Sequence, residues 1–429
     1  MIDQEIPSKA SPSRTAAGGS LARWKIDAFL AATISLNFGA RGILPVVLPA
    51  MRADFHFSDV AFGLLGSLFL WSYAICAPIA GMFGDLFSRR LVILVSVVTW
   101  SATTFLSGAA NGFLMLALLR VVFGVSESLY LPAATALQAD YHQPETRTRA
   151  MGLNSLAGSG GVVLWTACAG FIGEHFGWRY AFWALGLVGV ALTLSSPYLL
   201  SEAPVTTNAL ARTKSREALA YLIKDPTYLL LVTNEILLSI AGWIFFFWLP
   251  LYLYETYGIK MAAAGFSGMA TLQFSGMFGI AVGTWVSHRF PGMDARDRLL
   301  LFALGFLAAA PCLLTLLFHP SHPIVTISIA AFSILRGMGG VYEMPVLCDV
   351  VPPPYRSTAV GILIAGACSA GGLGVFVAGC LKQSLGLTGV FATLGGVSFL
   401  SGLALIIGYW MFVRRDVERA NAWMIEKSV

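Results

Sequence analysis

Two octapeptides decide how this chain reads: RVVFGVSE, residues 120–127, and RGMGGVYE, residues 336–343. Each places Gly-Val four residues after an arginine and a glutamate seven residues after it, inside a long apolar stretch. The match continues on both sides. Arg147 precedes Gly152 by five residues as Arg356 precedes Gly361, and glycine pairs follow at Gly160-Gly161 and Gly371-Gly372. Upstream, Gly63 and Gly66 answer to Gly265 and Gly268, Leu48-Pro49 to Leu249-Pro250, and Gly84, Ser88 and Arg90 to Gly283, Ser287 and Arg289. One match is chance; several in the same order at a near-constant offset describe a duplicated unit.

The surroundings of these motifs define the solvent. Hydrophobic residues make up 57% of the 429 and charged ones only 11%, with mean hydropathy +0.75. Soluble domains carry about a quarter charged residues, and no soluble fold of this size could hide so much apolar surface. A bilayer removes the difficulty by solvating the outer face. The 44 glycines fit close helix approach in a membrane. A helical span needs about 20 mainly apolar residues, and we place spans near 26–50, 60–83, 91–110, 113–138, 150–172, 179–200, 227–252, 262–286, 298–318, 324–348, 358–381 and 389–413. The fold expected is an all-α integral membrane protein of twelve helices in two parallel-related six-helix bundles, residues 21–201 and 226–415. A tail over 1–20, rich in Ser, Ala and Pro and read as disordered, a central loop over 202–225 and a tail over 416–429 complete the chain.

Lys and Arg set the orientation. With the N-terminus in the cytoplasm, 20 of them fall on cytoplasmic segments and 4, Arg52, Arg179, Lys260 and Lys382, on outer ones. Both termini and all three polar segments are therefore expected to be cytoplasmic, in an inner-membrane protein. The net charge of +5 is accounted for by this bias and implies no nucleic-acid partner. Six cysteines in or beside apolar stretches form no disulfide framework. Six histidines lie in loops or at span edges, and no HExxH, P-loop, GxSxG or metal cluster occurs, so neither an enzyme nor a bound metal or cofactor is expected.

These residues resemble the major facilitator superfamily over nearly the whole chain. The loop after the second span, Gly81-Met-Phe-Gly-Asp85-Leu-Phe-Ser-Arg89-Arg90, is similar to the family signature G-x-L-A-D-R-x-G-R-R, with departures at Leu86 and Ser88. The resemblance implies a cytoplasmic latch between the halves at Asp85 and Arg89, with Arg90 beside them. Asn37-Phe-Gly-Ala-Arg41, the stretch from Gly63 through Tyr73 to Pro78, and Arg120…Glu127…Tyr130-Leu-Pro132 look like the anion:cation symporters and the Spinster-like lipid carriers. Phe247-Trp-Leu-Pro-Leu-Tyr252 looks more like the former, Glu343-Met-Pro345 with Arg356 more like the latter. Both branches commonly carry an acid just before the span 1 arginine; Ala40 stands there, which puts proton coupling or its stoichiometry in question.

Ionisable groups at mid-bilayer are expensive, about 2.5–3.5 kcal/mol each, and normally face a cavity or a partner. Arg41, Arg120, Glu127, Glu235, Arg336 and Glu343 are such groups. Arg120 and Glu127 lie on nearly one face of a helix but about 10 Å apart in rise, too far to pair. In the family reading Glu127 takes the proton, since a carboxylate in a low-dielectric cavity can titrate near neutral pH; the alternative is a fixed carboxylate bonded to Arg41 or Arg120. Arg41 suits a carboxylate or phosphate on the solute, or a permanent pair with Glu127, and the two readings coexist if solute and Glu127 compete for it. Glu235 stands in the equivalent helix of the other half and is a candidate substitute for the missing span 1 acid. Asn37, Tyr73, Tyr130 and Trp243 are further candidate solute contacts, and Arg336 and Glu343 repeat the span 4 pair. Pro45, Pro78, Pro132, Pro311 and Pro345 mark expected kinks. The expectation is a monomeric secondary transporter driven by a proton gradient, taking a small organic anion, with an amphiphile carrier of Spinster or drug type as the alternative.

Overall fold

The computed structural model describes residues 20–142, 144–200 and 215–428, without the side chains of 20–23, 81–86, 144, 145, 148, 215, 216 and 426–428. The tail ahead of residue 20 and most of the central loop lie outside these residues. Among them the chain is helical throughout: α1 (Ser20–Phe55), α2 (Asp59–Leu86), α3 (Arg89–Ser107), α4 (Phe113–Tyr141), α5 (Pro144–His175), α6 (Trp178–Leu199), α7 (Ser215–Leu222), α8 (Pro226–Tyr257), α9 (Met261–Arg289), α10 (Ala295–Leu314), α11 (His322–Gly340), α12 (Glu343–Val350), α13 (Arg356–Met411) and α14 (Val413–Ser428). Eleven stretches are long and apolar enough to cross a membrane, and the last, Pro353–Met411, is 59 residues long. It holds two spans, because α13 is interrupted at Gly386, whose φ of 63° is left-handed and suits a residue without Cβ. Twelve spans result, at the positions read from hydropathy.

The duplication is visible in the packing. α1 packs on α5, α2 on α4 and α3 on both α4 and α6; in the second half α8 packs on the first limb of α13, α9 on α11, and α10 on both α11 and the second limb of α13. Small residues permit the close crossings. A Cβ on Gly124 of α4 would collide with Ser72 and the Phe69 carbonyl of α2, and one on Gly279 of α9 with the Ile334 carbonyl of α11. Apolar side chains such as Leu114, Ile327, Phe278 and Trp285 remain exposed on the outer surface, as a lipid-facing wall requires.

The span 10 helix breaks where the repeat is most polar: α11 stops at Gly340 and α12 resumes at Glu343. Pro345 follows the break, while Pro45, Pro78, Pro132 and Pro311 stay inside continuous helices. The central connection is not all loop, since α7 forms there. The C-terminal tail is likewise a helix, docked on the start of α8. Asp416 Oδ2 accepts from Thr227 N at 2.9 Å and Thr227 Oγ1 at 2.7 Å, and Asp225 Oδ1 accepts from Tyr228 N at 2.9 Å. Both aspartates are fully buried.

Candidate functional site

The halves meet through α2 with α13, α5 with α9 and α1 with α8. We call the end carrying the two termini proximal and the other distal. At mid-depth Ser67 Oγ donates to Gly372 O at 2.6 Å and Trp71 Nε1 to Ser369 O at 3.1 Å. Toward the distal end Glu174 accepts from Ala262 N at 3.2 Å. At the distal end itself four charges from both halves form a ring. Arg52 of α1 pairs with Asp59 of α2 and, at 2.8 Å, with Glu255 of α8; Lys382 of α13 closes the ring at 3.0 Å from Asp59 Oδ1 and 2.8 Å from Glu255 Oε2. Near the proximal end the pairs Arg89–Asp140 and Arg298–Asp349 each stay within a half. The interior is therefore sealed distally.

Below that seal lies the first-half ionic group. Arg41 Nε sits 2.7 Å from Glu127 Oε2, and Arg41 Nη2 donates to Asn37 Oδ1, one turn back on α1, at 3.2 Å. The guanidinium lies 4.5 Å from the Phe38 ring centre, 5.5 Å from that of Phe69 and 5.7 Å from that of Tyr73, a cation–π box that holds it in place. Glu127 is 1% exposed, and neither of its oxygens receives a well-aligned hydrogen bond, so Arg41 meets it as an ion pair. Arg120, 5% exposed, packs over the rings of Phe123 and Phe182. Among the described residues no carboxylate lies within ion-pairing distance of Arg120. Arg41 and Arg120 together line a small midline cavity, faced from the second half by Trp243, Phe246 and Phe247. With Arg41 neutralised by Glu127, the cavity wall keeps one uncompensated positive charge.

The second half gathers its own ionic residues. Glu235 of α8, Arg336 of α11 and Glu343 of α12 are near enough to act electrostatically on one another. Of the solute contacts expected from sequence, Arg41, Arg120 and Trp243 border the cavity, and Asn37 and Tyr73 support Arg41. Tyr130 is elsewhere: its hydroxyl donates to Leu30 O at 3.2 Å and it is 1% exposed, so it fastens α4 to α1 instead of reaching the cavity. The side chain of Asp85 lies outside the described residues. Arg89 does not reach the second half. It pairs with Asp140 and donates to Ala136 O at 3.2 Å, holding the α2–α3 corner on the end of α4. Half-buried Arg90 stands beside it.

Sequence reasoning missed the distal ring. Arg52 and Lys382 looked like orientation charges, yet the outer segments carry so few basic residues that each one there called for a reason. It also missed Asp27, buried in α1, whose Oδ2 lies 3.0 Å from His142 Nε2 and whose Oδ1 accepts from Gln138 at 3.2 Å. An acid one turn inside an apolar span was the available signal.

The family model of the Major Facilitator Superfamily matches residues 30–345, and the chain belongs to that family. It is 25% identical to the transporter YybO of Bacillus subtilis (strain 168), over 92% of this chain and 95% of that one. It is 26% identical to the cis,cis-muconate transport protein of Acinetobacter baylyi, over 89% and 93%, and 26% identical to protein spinster homolog 1 of Xenopus laevis, over 77% and 67%. Among solved structures, a bacterial homolog of the human lysosomal transporter Spinster, inward-facing and unoccupied, superposes with a TM-score of 0.78, covering 94% of this chain and 99% of that one at 22% identity. The fold is that of a membrane transporter with two six-helix bundles.

Proposed function

We propose that this chain is a secondary active transporter that carries a small organic anion, such as a sugar acid or dicarboxylate, together with protons. It sits in the cytoplasmic membrane with both termini and the proximal end in the cytoplasm, the side favoured by its Lys and Arg. The observation that carries the reading is Arg120: a buried guanidinium on the cavity wall with no carboxylate at ion-pairing distance among the described residues. A buried charge without a partner is costly, and an anion arriving between Arg120 and Arg41 supplies one. Arginine's planar fork suits a carboxylate in that position.

Coupling follows from the Arg41–Glu127 pair. An anion that draws Arg41 away leaves Glu127 in a buried site whose Oε1 already lacks a donor. Proton uptake by Glu127 then removes the unpaired charge. Solute and proton are taken up together, and neither is stable in the cavity alone. Relatives whose names include cis,cis-muconate and galactarate/D-glucarate transport support the solute class. A second reading, an amphiphile carrier, is favoured by the aromatic second-half wall of Trp243, Phe246 and Phe247 and by the similarity to Spinster proteins. Purified protein in liposomes separates the two: saturable uptake of muconate, glucarate or galactarate, raised by an inward-directed proton gradient, is expected. Lysophospholipid movement with no flux of any dicarboxylate would sink the anion reading.

A further inference from the structure

On the anion-carrier reading, on which this step rests, we propose that the midline cavity selects carboxylates with a planar, conjugated carbon body, such as muconate-like dienes and benzoate-type aromatic acids, and rejects polyhydroxylated sugar acids.

The lining of the cavity rejects hydroxyls. Besides Arg41 and Arg120, the described residues around it are the aromatic Phe69, Trp243, Phe246 and Phe247, with aliphatic side chains and a glycine between them. No hydroxyl, amide or carboxylate side chain is among these residues, and the indole N–H of Trp243 is their one neutral side-chain donor. Polar side chains on the surrounding helices are bonded within the protein. Ser67 donates to Gly372 O at 2.6 Å, Ser72 to Phe69 O at 3.0 Å and Ser239 to Ala367 O at 2.6 Å, while Asn37 Oδ1 accepts from Arg41. A sugar acid carries several hydroxyls into this space, and a hydroxyl buried without a partner is costly. At about tenfold for each unmatched hydroxyl, two of them weaken binding about 100-fold.

The same walls suit a flat π system. The Trp243 ring centre lies 6.0 Å from that of Phe69 with an interplanar angle of 66°, and 5.3 Å from that of Phe246 at 69°. The Arg41 guanidinium lies 5.5 Å from the Phe69 ring centre. The cavity wall thus presents both ring edges and ring faces, and a conjugated body beside them finds offset and edge-to-face partners. Guanidinium planes also stack on conjugated faces. A saturated chain of the same length fills the space by dispersion alone and gives up more torsional freedom on binding. Phe69 belongs to α2 and the other three rings to α8, so a flat solute held between them touches both halves at once.

The test is isothermal titration calorimetry of the full-length protein in detergent with two matched pairs, cis,cis-muconate against adipate and benzoate against cyclohexanecarboxylate, and with D-glucarate and galactarate. The conjugated member of each pair is expected to bind about 2- to 12-fold more tightly than its saturated analogue, the value of one aromatic contact. The sugar acids are expected to bind about 100-fold or more weakly than muconate. Trp243→Leu and Phe246→Leu keep the wall apolar but remove π surface. Each is expected to shrink the conjugated advantage toward one while the sugar acids stay weak, and the two variants check each other if one folds poorly. D-glucarate or galactarate binding within about tenfold of muconate, no conjugated advantage in either pair, or an advantage undiminished in both variants overturns the selectivity and leaves the anion-carrier reading standing. Binding of none of these carboxylates overturns both.

Discussion

Replacing Lys382 by Gln opens the distal ring in a way the structure lets one size. Lys382 contacts both acids of the ring, at 3.0 Å from Asp59 and 2.8 Å from Glu255, and its side chain is only 10% exposed. Exposed ion pairs contribute about 0.2–1 kcal/mol each, and partly desolvated ones more. Arg52 still touches both acids after the substitution, which limits the damage. The net loss of distal closure is about 1–2 kcal/mol, a factor of about 5–30 in the closed-to-open ratio. Hydrogen exchange reads it directly. Peptides covering 51–62, 250–260 and 379–388 are expected to exchange about 5–30 times faster in the variant, while peptides from α3 and α6 do not change. High salt applied to the wild type should move the same peptides in the same direction, since the ring is partly exposed. Unchanged exchange in the three distal peptides, together with no coupling between Lys382→Gln and Asp59→Asn in a double-mutant cycle, would refute the reasoning.

Other outcomes follow from the same geometry. Glu127→Gln is expected to abolish proton-driven accumulation but keep solute counterflow, measured in proteoliposomes, because the pairing partner of Arg41 is lost and the cavity arginines are not. Arg120→Gln should weaken solute binding by about 10-fold or more, the value of a charge-assisted hydrogen bond of about 1.5–3 kcal/mol, read by thermal shift with dicarboxylates. Gly124→Val should lower expression of folded protein, since Ser72 and the Phe69 carbonyl occupy the space of its side chain; detergent size-exclusion profiles check it. Burial pushes the Asp225 carboxyl, hydrogen-bonded to Asp416 outside the membrane spans, up to about 7, with Arg415 and Arg419 of α14 and Tyr221 of α7 as its charged and titratable surroundings. A raised carboxyl holds its proton in the docked state longer than in the free one. Docking of α14 should thus be firmest near pH 4, weaken by at most about 1.4 kcal/mol per pH unit up to about pH 7, and level off above. Proteolysis of α14 against pH measures this, and Asp416→Asn should flatten the profile.

The spans, their number and the duplication were legible because each rests on local pattern: twenty apolar residues, or a motif repeated at fixed spacing. Arg41, Arg120 and Glu127 were legible as well, since a charge inside an apolar span advertises itself, and helix rise alone ruled out a direct Arg120–Glu127 pair. The contact that did form, Arg41 with Glu127, was one of two open readings, and only the placement of α1 against α4 selects it. The distal ring joins residues 203 and 323 positions apart in the chain, distances over which no local pattern reports. Tyr130 misled for the reverse reason: its motif placed it near the site, but its rotation on α4 turned it to Leu30. Asp225 and Asp416 stand in polar segments where acids are ordinary, so nothing in the sequence distinguished them until burial did.

The mid-depth fastening between the halves has a practical corollary. Ser67 and Trp71 supply both donors, while Gly372 and Ser369 contribute main-chain oxygens. Side-chain exchange at 369 cannot remove an acceptor that every amino acid possesses. The contact at 369 is therefore retuned from its α2 partner, Trp71, whereas at Gly372 an added Cβ would meet Trp71 Nε1 at 2.7 Å, so scanning position 369 alone under-reports the importance of this joint.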